Sequence, residues 1–363
     1  MESITIELRP LIQSCNIFIC LEEPTDINLV QICPFKNSLT VKISGEKYTI
    51  DLPTVNIVTT SISNLNVFDK WIVFRFQTSP LNSSSGNFAT EVVNNLDAIE
   101  NDCAESSEII LLPPKNTPVS LLCYSCDILL SLPNVVFQRI MPLPSTDCEP
   151  SEWFCCGDFN YESLLRPRIP DFFYDSHFFV LNSSIFESNL NVNRKDILCN
   201  NCNKILGVTY DECSLKFWSY SIKYQLQPMP AINVESTTPL DDFKLALRKC
   251  AGKAAIREII FVAIEDERQV YLVLKIVDKK LNLLIETGIS GTGNVNLEGK
   301  MVLKVLYQYP IAVSSELKYL TNAHVCQIAL LSLKTGVHYL EHTTERIPPI
   351  YNRINDFRVG YIM

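Results

Sequence analysis

Apolar and polar positions alternate through the first eighty residues in short runs rich in β-branched side chains. Ile4 to Leu8, Asn16 to Leu21, Ser38 to Ile43, Lys47 to Leu52 and Trp71 to Gln77 each read as a strand. Ser44-Gly45-Glu46 is a hairpin signal, and Pro53 ends its strand where it removes a ladder donor. These strands predict an antiparallel β sandwich or barrel over residues 1–120, with a serine- and asparagine-rich arm and a short helix within 86–96. The pattern continues as strands around Ile109 to Leu112, Val119 to Leu122, Val135 to Met141, His177 to Leu181 and a long run from Lys216 to Leu226.

Beyond residue 237 the period changes. Thr238-Pro239-Leu240-Asp241 combines a threonine cap, proline at the first helical position and acids in the first turn. Leu240, Phe243, Leu247 and Cys250 follow at helical spacing, and Gly252 closes the helix. Strands are expected at Ile259 to Ile264, Val270 to Val277, Leu281 to Glu286 and Met301 to Tyr307. A helix from about Asn322 to Glu341 and a strand from Phe357 to Ile362 complete the chain. The fold class is therefore α+β: the N-terminal unit, a cysteine-rich segment over 121–215, and a C-terminal α+β domain over 216–363.

Cysteine spacing adds the first chemistry. Cys123-Tyr-Ser-Cys126 and Cys199-Asn-Asn-Cys202 are two Cys-x-x-Cys pairs, the arrangement that completes a four-thiolate site for one structural zinc ion. The chain opens without a basic end and apolar run, so its 14 cysteines are expected to stay reduced, in the cytoplasm and nucleus. A net charge of −9 without a Lys/Arg run argues against direct nucleic-acid binding and for a basic partner surface. No apolar run reaches the length of a membrane span.

Between the two pairs, Ser145 to Asp175 carries seven acidic residues against two basic ones, with Trp153, Phe154, Cys155, Cys156 and Asp158 near its middle. Zinc at the roots and an aromatic, thiol-bearing tip make this segment a candidate partner-binding loop, since a thiolate can ligate a metal held by another protein. Cys326, expected near the start of the last helix, is the candidate nucleophile if the protein forms thioesters, set against a plain core role. Gly288 to Gly293 lacks the third glycine of a phosphate-binding fingerprint and reads as a hairpin loop. His177, among phenylalanines, reads as a core histidine, and His338 and His342 as ordinary helix residues.

Several motifs in fixed order resemble the HECT-like ubiquitin-ligase family that is also described as binding a ubiquitin-conjugating enzyme. They are Glu7-Leu-Arg9, Asp51-Leu-Pro53, both cysteine pairs, Leu143-Pro-Ser145, Trp153 with Cys155-Cys156, Leu206-Gly207, Val305-Leu-Tyr-Gln308 and Arg353 to Phe357. The family has a distant fungal relative in mRNA cleavage and polyadenylation, and the resemblance implies two activities. One is binding, as a factor or inhibitory chaperone, of the metallo-β-lactamase-fold endonuclease that cuts pre-mRNA 3′ ends, with the acidic loop entering its two-metal cleft. The alternative is HECT-like transfer of ubiquitin from a conjugating enzyme, through a cysteine in the C-terminal half, where Cys326, Cys250 and Cys213 are the candidates. The family's Trp-Cys-Cys-His pattern is here Trp153-Phe154-Cys155-Cys156-Gly157, with an inserted phenylalanine and no histidine. The endonuclease reading accounts for more of the sequence and is the principal expectation.

Overall fold

A computed structural model describes residues 1–79, 110–144, 166–226, 233–234, 237–253, 256–265, 268–291, 293–311 and 323–363. The helix expected within 86–96 and the tip Trp153, Phe154, Cys155, Cys156 and Asp158 lie outside the described residues. Strands dominate, with two α-helices among the described residues.

Both ends of the chain build one 14-stranded sheet. Its N-terminal members include β1 (Ser3–Arg9), β2 (Ser14–Cys20), β3 (Ser38–Ile43), β4 (Glu46–Asp51) and β5 (Trp71–Ser79). The hairpin between β3 and β4 is the one expected at Ser44-Gly45, both residues having positive φ. Alternation puts Ile4, Ile6 and Leu8 into a buried cluster with Ile17, Ile19, Leu39, Val41 and Ile50, as a sandwich or barrel core requires.

The middle of the chain forms a four-stranded and a seven-stranded sheet around one shared core. Its principal strands are β6 (Pro118–Cys123), β7 (Phe178–Asn182), β8 (Asp196–Cys199), β9 (Ile205–Thr209), β10 (Ser214–Trp218) and β11 (Ile222–Leu226). The long strand expected from Lys216 to Leu226 is instead broken by a 3-10 turn at Ser219–Ser221, and its halves enter different sheets. Tertiary bonds hold the break: Ser221 Oγ donates to the Leu206 and Trp218 carbonyls, and the Tyr220 N–H donates to Asp242 at 3.1 Å. Gly207, in β9, has no room for a side chain, because a Cβ would lie 1.9 Å from the Lys216 carbonyl oxygen.

Helix α1 (Pro239–Gly252) forms where its signals fall, and Thr238 and Asp241 complete a reciprocal capping box. Then come β12 (Glu258–Glu265), β13 (Arg268–Ile289), β14 (Asn294–Ile311), β15 (His324–Gln327), α2 (Leu330–Thr344) and β16 (Phe357–Ile362). The two strands expected at 270–277 and 281–286 are one strand with irregular register around Asp278. Its first half pairs with β12 and its second half with β1, so the polar run Asp278-Lys-Lys280 marks a change of partner. The last helix begins at Leu330, eight residues later than expected, because His324 to Gln327 pairs as a strand with β12.

The N-terminal strands therefore share a sheet with the C-terminal ones. A buried carboxylate pins that union: Glu7 on β1 accepts from Lys304 at 2.5 Å, Tyr361 Oη at 2.7 Å and Arg9 at 2.9 Å. Burial alone would raise its pKa, but the Lys304 and Arg9 charges and these bonds hold it below the usual carboxylate range.

Candidate functional site

Two sulfur clusters stand apart in construction. The first unites Cys123, Cys126, Cys199 and Cys202, whose sulfurs all lie within 4.8 Å of one another. Each pair sits on the same turn. The Asp127 N–H donates to the Cys123 carbonyl and the Asn203 N–H to that of Cys199, at 2.9 and 2.8 Å. Asp127 and Asn203 both take left-handed backbone, φ 56°, which suits their short polar side chains. The turns face each other crosswise, with Cys123 3.7 Å from Cys202 and Cys126 3.6 Å from Cys199.

Burial pushes the Cys123 and Cys199 thiols up, whereas a hydrogen bond from the Asn201 side chain draws Cys126 down to about 6. Four convergent sulfurs at the ends of two strands, one from each sheet, fit a soft tetrahedral metal ion with no open coordination position. The cluster was also expected to staple the roots of the acidic segment, but the roots are held otherwise. Arg139–Pro142 pairs in parallel with Asp171–Tyr174, Leu143 N–H donates to the Tyr174 carbonyl at 2.7 Å, and Arg139 forks onto buried Asp171.

The second cluster surrounds Cys326. This residue lies in β15, beside Phe261 of β12, and not in a helix as expected. It lines a cavity of about 190 Å³ with His177, Lys216, Lys249, Cys250 and Lys253. The contributing elements are the residue before β7, the middle of β10, the last turn of α1 and its cap, and β15.

Cys326 Sγ is 4.0 Å from His177 Nε2. That nitrogen also lies 3.0 Å from the Gln327 carbonyl oxygen, and Nδ1 lies 3.0 Å from Ser176 Oγ. A carbonyl only accepts, so Nε2 carries a proton and Nδ1 of the neutral ring takes the serine's. His177 can thus charge and face a thiolate, but its Nε2 is not free to remove the thiol proton. The ring is stacked on Trp218 and is 3 % exposed.

Lys216 enters from β10 between the Phe178 and Trp218 rings, 4.0 and 4.7 Å from their centroids, and donates to Gln327 Oε1 at 3.2 Å. Burial draws its pKa down to about 8. Lys249 pairs with Asp175 at 2.5 Å. A hydrogen bond from the Cys250 thiol, then His177 and the Lys216 charge, draw the Cys326 thiol well below its ordinary value despite burial; Cys250 is pushed up in turn. For His177, burial opposes charging, and the facing sulfur and the Gln327 carbonyl outweigh it.

The structure therefore joins Cys326 to His177, which the sequence reading left in the core, and to Lys216 and Cys250. One signal was present: Lys216 interrupts the apolar run Leu215-Lys-Phe-Trp218, and a lysine there needs partners. His338 and His342 lie exposed on α2, each within salt-bridge distance of a glutamate one turn on. Gly288 and Ile289 end β13, and Ser290, Gly291 and Gly293 lie between it and β14; Gly293, φ +80°, passes so close to Lys47 that a Cβ would meet its carbonyl oxygen at 2.1 Å.

A family model described as HECT-like ubiquitin-conjugating enzyme (E2)-binding matches residues 7–359, nearly the whole chain and both clusters. Comparison with curated proteins and with solved structures gives no match. The chain belongs to the HECT-like, E2-binding family.

Proposed function

We propose that this chain binds a ubiquitin-conjugating enzyme and takes ubiquitin from it onto Cys326. The observation that carries the reading is the Cys326 thiol facing a buried histidine and lysine across a cavity, in a chain of this family. The Cys326 thiolate would attack the thioester carbonyl at the ubiquitin C-terminus; a new thioester forms and the conjugating enzyme's thiolate leaves. His177 and Lys216 hold the thiolate before attack by charge, and the Cys250 thiol holds it by a hydrogen bond.

The four-cysteine cluster we assign to one structural zinc ion. Zinc suits an all-sulfur set, and its place between the β6 and β8 turns fits a role in folding. The endonuclease reading rests on Trp153, Phe154, Cys155, Cys156 and Asp158, outside the described residues, and no described residue supports it.

Single-turnover discharge of a ubiquitin-loaded conjugating enzyme tests the proposal. The wild-type chain should gain a ubiquitin adduct that reducing agent removes. Cys326→Ala should lose it, and Cys250→Ser should keep it at a reduced rate. Discharge by Cys326→Ala at the wild-type rate would overturn the assignment.

A further inference from the structure

Cys326 has a second thiol as its neighbour. Cys250, in the last turn of α1, is 4 % exposed and belongs to the apolar cluster on which Cys326 packs, and both line the same cavity. A nucleophile alone does not need such a partner; an aliphatic side chain would fill the space. Elsewhere among the described residues Cys15 is fully buried, Cys20 is hydrogen-bonded to Glu2, and Cys213 is exposed with no cysteine against it.

From this juxtaposition we propose that Cys326 and Cys250 form a reversible oxidation site, closed to a disulfide by hydroperoxides. The Cys326 thiolate attacks the peroxide oxygen; with one proton, the O–O bond breaks to give Cys326 sulfenic acid and, from hydrogen peroxide, water. The Cys250 sulfur then attacks the sulfenic sulfur, the S–O bond breaks, and the hydroxyl leaves as water with the Cys250 proton. Overall two thiols are oxidised by two electrons and one peroxide is reduced, releasing two waters.

The site's chemistry supports both steps. His177 and Lys216 favour the thiolate, which is the form that attacks peroxide. Both groups have partners other than the sulfur, His177 in Gln327 and Ser176, and Lys216 in Gln327. Cys250 lines the same cavity, so it is placed to capture the sulfenic acid before a second peroxide carries it to the irreversible sulfinic acid. The consequence for function rests on the ubiquitin reading: a Cys326 tied to Cys250 cannot accept an acyl group, so oxidation would switch transfer off. The oxidation itself does not depend on that reading.

The test uses the full chain, zinc-loaded, treated with a few equivalents of hydrogen peroxide, alkylated and digested without reductant. The expected product is a peptide pair linked through Cys250 and Cys326, separated again by dithiothreitol. Alkylation of Cys326 should fall by roughly tenfold on closure and recover on reduction. In Cys250→Ser, Cys326 should pass to the sulfinic acid instead. A sulfinic Cys326 beside an alkylatable Cys250 in the wild-type chain would overturn the proposal, and so would a disulfide from Cys326 to any other cysteine. If the disulfide forms but the reduced chain never discharges a conjugating enzyme, the ubiquitin reading alone fails. Discharge without a disulfide sinks only the oxidation site.

Discussion

The four-cysteine cluster and the Cys326 cavity both bring thiols into contact, by opposite means. The cluster repeats one local turn twice: a strand ending in cysteine, two residues, a second cysteine, then Asp127 or Asn203 in left-handed backbone. Each copy is nearly complete within five residues, and the fold has only to set one against the other. The cavity has no local unit. His177, Lys216, Cys250 and Cys326 come from four segments in two parts of the molecule, and each contributes one side chain. Redundancy makes the first site robust as scaffold. Dispersal gives the second its asymmetry, in which one thiol is pulled down and its neighbour pushed up.

The largest effect should separate the sites by their dependence on metal. Stripping the metal with a chelator, or Cys199→Ser, should remove about one zinc and destabilise the chain by more than about 4 kcal/mol. Metal analysis with thermal unfolding reads both, and an unchanged melting temperature would make the cluster ornamental. Cys326→Ala should leave metal content intact.

Next comes Gly207→Ala. Gly207 sits on β9 beside the second cysteine turn and against the carbonyl of Lys216, so it couples the two regions. The added methyl should cost about 2–4 kcal/mol by forcing β9 from β10. It should also slow Cys326 alkylation, because Lys216 moves with its strand; denaturant unfolding and alkylation rates measure the two parts.

The pH profile of Cys326 alkylation sharpens the electrostatic side of the comparison. Its midpoint should lie well below that of an ordinary thiol. Loss of a facing positive charge disfavours the thiolate, so His177→Gln should raise the midpoint by about one pH unit and Lys216→Met by less.

Asp242 gives the smallest effect. It is buried on α1, accepts from Tyr220 N–H and Thr237 Oγ1, and burial pushes its pKa up to about 7. The unfolded carboxyl ionises near its ordinary value of 3.8 while the folded one still holds its proton, so its contribution is full below that value. It is lost as pH rises towards 7. Asp242→Asn should therefore gain on the wild type between pH 5 and pH 7, by on the order of 1 kcal/mol, with no further gain above pH 8. Melting curves across that range decide it.

What could be read without the fold was whatever is encoded locally. The β3–β4 hairpin at Ser44-Gly45, the capping box at Thr238 and Asp241, the final strand and both cysteine turns each depend on a few neighbouring residues. Propensity and turn chemistry determine such units wherever they are placed. Tertiary structure decided the rest. It broke the run at Lys216 to Leu226, through bonds from Tyr220 to Asp242 and from Ser221 to Leu206. It made His324 to Gln327 a strand, because β12 offered a parallel edge stronger than an early helical turn. It joined β1 to β13 across more than 270 residues, where Glu7 finds Lys304 and Tyr361. The surroundings of Cys326 belong to this second group. Local sequence could mark it as a cysteine among apolar residues, but a thiol's charge is set by the groups around it, and those arrive only when the chain folds.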